Sequence, residues 1–407
     1  MANTFITNKK VDLVALRAAE AAPYLTVGSK KYFGDQLEGK RNGTEYEFVI
    51  RDAGKFVTGM NLTGKTSNLV ERKVPMGIEL GNILIDTNML EKITDVEWDK
   101  EIAKPNGKAL IEGVVQEVLK KDIGKQNTAF VGKGWLPLSK ASRFLGSIST
   151  EDRYGFIDPM INSICDAMGK GFSPVDVDPL YKTGMIGTAY KTEFREQQFL
   201  PTLEISQALA NELSSATVSG FTQDSTTHIS TLAVSGMTQT IPAGTPLFVE
   251  GVYATNLVGN KTSSYKAFIA IEDATASTNV CRVKVREVDL AGQGTKEACD
   301  KDGKAIALAD FQDKKLVNPI EAGLYFTGII RIDGAMEFET LNKLDWSNAD
   351  QSSESIEGIK VHEGRAVDIV LGTNKTRWTV ASLGGIVEPR GVAYVCIKDA
   401  EPNVVAQ

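Results

Sequence analysis

The run TEYEFVIRDAGKFVTGMNLTGKTSNLVERKVPMGIELGNILID, residues 44–86, is the most informative part of this 407-residue chain. Tyr46, Phe48 and Ile50 alternate with Glu45, Glu47, Val49 and Arg51, the period of a β-strand. A second alternation runs from Leu69 to Val74, and beyond Pro75 it is followed by Ile78, Leu80, Ile83 and Ile85. Turn-formers surround these strands: Gly34, Gly39, Asn42 and Gly43 before them, Gly54, Gly59 and Gly64 between them. The pattern predicts a long, largely solvated two-stranded arm. An isolated hairpin is marginal in water, so the arm must lie on something, and the sequence offers no obvious cover within the same subunit.

Inside this run, Gly59-Met60-Asn61-Leu62-Thr63-Gly64-Lys65-Thr66 satisfies the phosphate-loop pattern. In a true loop the backbone amides cradle phosphates at a helix start, the lysine reaches the terminal phosphates and the threonine binds magnesium. That chemistry needs a helix after Thr66. Residues 69–74 alternate as a strand instead, and Pro75 closes the space. Ile83-Leu84-Ile85-Asp86 imitates a magnesium-binding strand end, but it follows too soon for a βαβ unit of roughly 30 residues. The expectation is a glycine-rich turn, with a nucleotide hydrolase using Gly59 to Thr66 as an alternative.

Working outward, Val11, Val14, Ala15, Ala18 and Ala22 recur at three- and four-residue intervals, which predicts a short amphipathic helix over residues 10–22 stopped by Pro23. It docks on the chain's own body or on a neighbour, the former being the expectation. After Asp95 the period becomes helical again, interrupted at Pro105 and Gly107; Leu110, Ile111, Val114, Val115, Val118 and Leu119 then mark one face of a long helix. Residues 135–198 alternate helical pieces, at 139–145 and 159–168, with loops bracketed by Pro174 and Pro179. Glu193-Phe194-Arg195-Glu196 and Lys120-Lys121 read as helix-surface charge.

From Thr217 to about Ile320 the composition turns to Thr, Ser, Gly, Val and Ala, with strand-like runs at 229–234, 246–249, 266–271, 280–285 and 305–308. Turn signals at those intervals predict a small barrel or sandwich set inside a host body, crossed at residues 198–216 and 321–340. Mixed structure resumes at Leu324-Tyr325-Phe326 and Ile329-Ile330-Arg331-Ile332, continues at 366–371 and ends in a strand at 392–397.

The length predicts two or three domains. Lys and Arg number 45 against 52 Asp and Glu, a net charge of −7, so no global basic field favours dedicated nucleic-acid binding. Cys165, Cys281, Cys299 and Cys396 are far apart and read as reduced, buried thiols. His228 and His362 are the only histidines, which argues against histidine-dependent catalysis. The amino terminus reads as neither signal peptide nor anchor, no run approaches the roughly 18 apolar residues of a membrane helix, and the expectation is a cytoplasmic chain.

The remaining motifs fail on chemistry. Asp300-Lys301-Asp302-Gly303 starts like a calcium loop with its glycine misplaced and Phe311 where the bidentate glutamate belongs. His362-Glu363 lacks the second histidine of a zinc protease, Ala366 standing there. Asp176 and Asp178 form a D-x-D pair between prolines, expected as a solvated loop with a metal or carboxylate site as the alternative. Trp98, Trp135, Trp346, Trp378 and Phe156 are expected as packing anchors. No catalytic, cofactor-binding or metal-binding residue and no cofactor is assigned.

In order, these pieces are a helix, a β-arm, a long helix, an α+β body, a β-rich insert and terminal strands. That order resembles the major coat proteins of tailed bacteriophages, whose capsid fold is shared with herpesviruses, and most of all the coat proteins of short-tailed Salmonella phages, which carry an extra β-barrel domain. The similar segments span about residues 11–402 and include 70–86, Tyr181-Lys182-Thr183-Gly184-Met185-Ile186-Gly187, Thr217-Val218-Ser219-Gly220, Leu383-Gly384-Gly385-Ile386 and 391–396.

The resemblance implies an α+β capsid fold with an amino-terminal arm (1–33), an extended β-loop (34–80, with 44–78 reaching over a neighbouring subunit), a peripheral domain with a spine helix at 110–119 and the first part of an axial domain (81–216), an inserted β-barrel (217–322) and the remaining axial domain (323–407). It implies insert loops at 259–264 and 292–303 that make contacts between capsomers. The implied function is an icosahedral shell enclosing viral double-stranded DNA, assembled in the host cytoplasm as hexamers and pentamers with a scaffolding protein and a portal, touching packaged DNA non-specifically and no membrane. A β-rich tail or adhesin component is the other alternative.

Overall fold

A computed structural model describes residues 2–30, 45–51, 71–86, 98–167, 185–224, 226–291, 296–341, 350–368 and 373–399. Helices α1 (Ala2–Glu20) and α2 (Pro23–Thr26) lead to a short strand β1 (Ser29–Lys30), and the arm strands are β2 (Glu45–Arg51) and β3 (Glu71–Asp86). A π-helical turn, Asp99–Ala103, runs straight into α3 (Lys104–Asp122). Then come β4 (Thr128–Lys133), α4 (Leu136–Ile148), β5 (Arg153–Ile157), α5 (Pro159–Ala167), β6 (Met185–Ala189), β7 (Thr192–Glu196), β8 (Leu203–Ile205) and α6 (Gln207–Ser215). The β-rich stretch holds β9 (Thr217–Asp224), β10 (Ile229–Ser235), β11 (Pro246–Thr255), β12 (Lys261–Ile269), β13 (Ala276–Ser277), β14 (Val280–Arg286) and β15 (Ala298–Cys299). The chain ends with β16 (Gly323–Ile332), β17 (Met336–Thr340), β18 (Asp350–Ile356), β19 (Ile359–Asp368), β20 (Thr373–Ile386) and β21 (Val392–Lys398).

One sheet is organised by β20. On one edge it pairs antiparallel with β3, from Leu383↔Ile78 to Lys375↔Asp86. On the other it pairs first with β19 and then with β17, which carry β18 and β1 beyond them. A second, mixed sheet has the order β4-β21-β16-β5-β7-β6, with β8 against the start of β16. The α+β class expected from the sequence is what the chain adopts.

Helix α3 buries Leu110, Ile111, Val114, Val115, Val118 and Leu119, the stripe visible in the sequence. Pro105 and Gly107 do not interrupt it. The widened π turn precedes Pro105, whose missing N–H costs little at a helix start, and Asn106 Nδ2 donates to the Ile102 carbonyl at 2.7 Å. Gly107 is where α1 crosses: a Cβ there would stand 2.7 Å from the Val14 carbonyl oxygen and 2.9 Å from Arg17 Cβ. Helix α1 is longer than its apolar period indicated, ends before Pro23, and docks on its own chain through Val11, Val14, Ala15 and Ala18. Arg17 clamps the π turn with two bonds to Asp99, 2.6 and 3.1 Å.

Below this crossing lies a charged group in an apolar setting. The fully buried Arg331 on β16 donates through Nη2 to the carbonyls of Tyr24 (2.6 Å) and Val27 (2.7 Å), and its guanidinium sits over the rings of Tyr24 (5.0 Å) and Phe156 (4.7 Å). Tyr24 donates its hydroxyl to Asp122 Oδ2 at 2.9 Å, and Asp122 Oδ1 accepts from the Ile386 amide at 2.7 Å. Burial and the neighbouring Asp122 carboxylate push the Tyr24 phenol well above its ordinary value. This chain of contacts ties α2, α3, β16 and the end of β20 together. Trp98 and Trp378 meet edge to face at 6.0 Å, as packing anchors should.

The β-rich stretch forms two sheets, β13-β14-β10-β9 and β12-β11-β15. Their ladders do not close into a barrel. One seam is bridged by residues 314–317: the Val218 amide donates to the Lys314 carbonyl, Glu250 to Lys315 and Val317 to Phe248, at 2.8, 3.0 and 2.8 Å. At the other, the Ile271 amide donates to the Lys284 carbonyl at 3.0 Å. The expected strand at 305–308 is instead an irregular segment entering a 3-10 turn, Leu308–Phe311, because Phe311 must drop inward to pack on Phe221 (4.5 Å) and Phe268 (5.7 Å). Residues 193–196 lie on strand β7 rather than a helix, with Phe194 buried and Glu193 and Arg195 outward. The stretches expected as crossings hold regular elements: β8 and α6 in one, β16 and β17 in the other.

Four outcomes follow for stability. Gly107→Leu overpacks the crossing and should lower the unfolding free energy by about 1–3 kcal/mol, whereas Gly113→Ala, at a helical position with nothing within 4 Å, should raise it by up to about 1 kcal/mol; urea midpoints read both. Tyr24→Phe removes a hydrogen bond to a buried carboxylate and should cost about 1.5–3 kcal/mol in the same assay. His362 is buried on β19, donating Nε2–H to the Leu341 carbonyl at 2.8 Å, and burial pushes its pKa down. The unfolded chain then takes up a proton that the folded state resists, so stability is lost as pH falls below about 6.5. His362→Gln should flatten that part of a melting-temperature profile.

Candidate assembly surface

Strand β3 is the longest strand among the described residues. At about 3.3 Å per residue its 16 residues span about 50 Å. Residues 78–86 belong to the sheet of their own chain, which corrects the expectation that no part of the subunit covers the arm. Gly81 lets this half approach α3, where a Cβ would meet Val114 Cγ2 at 2.8 Å. Residues 71–77 pair, among the described residues, with β2 alone, from Glu71↔Arg51 to Gly77↔Glu45. Pro75 sits in this half, before the ladder to β20 begins, at the kind of edge position that tolerates a missing N–H.

On the face turned away from α3, Leu80 and Leu84 are 56% and 63% exposed. Between them Asn82 Oδ1 gathers donors from Arg377 Nη2 (2.6 Å), Arg377 Nε (3.0 Å) and Thr379 Oγ1 (2.7 Å). Asn82 therefore pins the arm to β20 on the outer side while Ile83 packs inward on the core. Leu80 and Leu84 thus flank a saturated polar knot on the outward face.

The β-rich stretch presents a second surface, and here the structure joins two segments that the sequence singled out separately. The β11–β12 turn is held by Asn256 Oδ1, which accepts from the amides of Val258 (3.0 Å) and Asn260 (2.9 Å). Lys261 then donates to the Lys301 carbonyl at 2.8 Å and lies 4.2 Å from the Tyr253 ring centroid. Lys296 reaches the Gly303 carbonyl at 2.6 Å. Residues 259–264 and 296–303 thus share one tip; residues 292–295 of the second segment lie outside the described residues.

The Asp300 motif acts inside this tip as an Asx turn rather than a calcium loop: its Oδ1 accepts from the amides of Lys304 (2.7 Å) and Asp302 (2.9 Å), and these bonds hold its carboxyl below the usual range. Glu363, next to His362, is buried and accepts from Trp378 Nε1 and Arg365 Nε, each at 2.7 Å, so it is a structural carboxylate. Cys281, Cys299 and Cys396 are buried and unpaired with one another, and burial raises each thiol pKa. Among the described residues no group of three or more His, Cys, Asp and Glu is placed to hold a metal ion. No helix among them is long and apolar enough to cross a membrane. Gly59 to Thr66, Asp176, Asp178 and Trp346 lie outside the described residues.

Sequence reasoning missed the buried anchors. Arg331 was visible as a charge within the apolar run Ile329-Ile330-Arg331-Ile332, a signal that a strand interior holds a satisfied cation. Lys266 and Glu297, 3.1 Å apart and almost wholly buried, carried no such signal: Lys266 stands at the start of a strand-like run, where a charge normally reaches water, and Glu297 stands in a loop that reads as surface.

No protein-family model matches the chain, and no curated protein matches it. Among solved structures it is similar to the acid-stable capsid of Helicobacter pylori bacteriophage KHP30, with 8% identity and a TM-score of 0.44 over 94% of this chain and 90% of that one. It is similar to the capsid of Ralstonia phage GP4, with 8% identity and a TM-score of 0.40 over 89% and 86%. A virus-like particle from Pyrococcus furiosus matches with 8% identity and a TM-score of 0.38 over 95% and 97%.

Proposed function

We propose that this chain is the repeating subunit of a closed protein shell, the major capsid protein of a tailed bacteriophage, and that its role is structural. The observation that carries this reading is the division of β3. Residues 78–86 are anchored in the subunit's own sheet, and residues 71–77 continue as a two-stranded ribbon paired with β2 alone among the described residues. A free two-stranded ribbon is marginal, and it gains stability by lying on a neighbour. Because the anchor and the ribbon are different surfaces, the contact is head to tail, and head-to-tail contacts that close generate rings. Many modest contacts per subunit then make the assembled wall strong.

In this reading residues 1–33 are an amino-terminal arm, 34–80 the extended loop, 81–216 a peripheral domain with α3 as its spine together with the first part of an axial domain, 217–322 an inserted all-β domain of two sheets in place of the expected closed barrel, and 323–407 the rest of the axial domain. The tip built from Lys261, Lys301 and Gly303 would meet a neighbouring capsomer. The partners are copies of the chain, a scaffolding protein, a portal and the packaged double-stranded DNA. Nucleotide hydrolysis by Lys65 and Thr66 is disfavoured by β3 itself: it begins at Glu71 and leaves residues 67–70 for the helix that the chemistry requires.

Expression with a scaffold should give megadalton particles by light scattering and electron microscopy. Deleting residues 54–68 should leave a soluble subunit of unchanged melting temperature that forms none, and normal shells from that deletion would refute the arm's role.

A further inference from the structure

Helix α4 turns Leu136, Lys140 and Arg143 to solvent, at i, i+4 and i+7, while Leu138, Ala141, Phe144 and Leu145 face the core. The β6–β7 hairpin brings its turn to this outward face. Thr192 Oγ1 donates to Ser142 Oγ at 3.0 Å in a buried contact, which holds Tyr190 and Lys191 beside the helix. Arg143 stands 6.0 Å from the centroid of the Tyr190 ring, and that tyrosine is 45% exposed.

The turn itself is unusual in composition. Ala189 and Thr192 pair across it, and the two residues between them, Tyr190 and Lys191, both take positive φ, 53° and 61°. Two-residue hairpins of this shape favour Asn-Gly or Gly-rich pairs. A large ring and a lysine occupy it here, held out of the core.

Lys140, Arg143 and Lys191 are exposed and have no acidic partner among the described residues. Of the acids nearby in the chain, Glu193 is taken by Arg195 at 2.5 Å. Arg153 adds a further positive charge beneath the helix, donating Nη1 to the Ser142 carbonyl. A chain of net charge −7 thus gathers three exposed cations, without an acidic partner among the described residues, on the face that carries one exposed aromatic ring.

We propose that this face of α4, with the Tyr190–Lys191 turn, binds the phosphodiester backbone of nucleic acid. Lys140, Arg143 and Lys191 neutralise successive phosphates, and Tyr190 offers its open ring face to an unpaired base. Cations interleaved with an aromatic ring are the arrangement that tracks a nucleic-acid strand. A purely acidic peptide would have no use for the ring. The site is a property of the free subunit and does not depend on shell formation.

The test is fluorescence anisotropy of the unassembled full-length subunit with a labelled single-stranded oligonucleotide and the matching duplex, from about 50 to 200 mM salt. The triple variant Lys140→Gln, Arg143→Gln, Lys191→Asn, with melting temperature checked against the parent, should lose at least about tenfold in affinity, and its salt slope on the single strand should shrink by about 2, from about 0.7 per phosphate. Tyr190→Asn suits the turn better, so it should melt no lower than the parent yet weaken single-strand binding more than duplex binding. Unchanged affinity and slope in the triple variant would overturn the proposal, as would equal binding of polyglutamate at matched charge. A Tyr190→Asn protein with parental affinity for both DNAs would remove the ring from the site.

Discussion

The antiparallel pairing of β3 with β20 is the constraint on which the rest of this molecule depends. Strand β20 has both edges filled, by β3 on one side and by β19 and β17 on the other. A strand paired along both edges leaves no backbone donors for slippage, and its register decides which face of β3 looks inward. A shift of one residue would turn Ile83 and Gly81 to solvent and drive Leu80 and Leu84 into α3, where there is no room for a side chain at position 81. Asn82 reinforces the register from the outer face by collecting three donors that only this alignment presents.

The buried Arg331 performs the corresponding task for the amino-terminal segment. An arginine in an apolar interior is costly unless its donors are satisfied and its plane is stacked. Here it finds two backbone carbonyls and two aromatic rings, all but one of these partners contributed by residues 24–27. Residues 24–27 are thereby fixed against β16, and α1 is aimed across α3 at Gly107. Truncating the arginine leaves those carbonyls without donors. Removing the residue that carries a satisfied charge is destabilising even where an apolar core designed from the start would have done as well.

Much of this was legible in the sequence because it depends on local periodicity. The period-two runs around Phe48 and Ile78 located β2 and β3, the stripe from Leu110 to Leu119 located α3, and most strands of the β-rich stretch stood within a few residues of their turn signals. What was not legible depends on contacts between distant residues. Nothing near Pro105 announces that a π turn will absorb it, and nothing near Ile78 announces a partner at Leu383. Likewise 193–196 has the charge pattern of a helix surface, yet its burial alternates residue by residue because β5 and β6 flank it. The exposed cations on α4 were equally invisible, since their significance lies in having no acidic partner among the described residues.

The attachment of the β-rich stretch raises a question of energetics that distance alone answers. Its strand β12 is laced to the exit of α3: the Ala267 amide donates to the Asn127 carbonyl at 3.2 Å, Thr128 Oγ1 to the Tyr265 carbonyl at 2.7 Å, and Asn127 Nδ2 to the carbonyls of both Thr255 (2.7 Å) and Arg390 (3.0 Å). Beneath the seam Lys266 bridges Glu297 at 3.1 Å and the Gln126 carbonyl at 3.2 Å. A buried ion pair of this kind rarely outperforms an apolar pair of similar volume in stability. It differs in tolerance: an apolar seam accepts a neighbouring register, whereas Lys266 displaced by one residue would leave two charges buried and unpaired. The pair therefore acts chiefly to exclude wrong dockings, and the geometry of the exposed tip at Lys261 and Lys301 is inherited from a seam that permits one alignment.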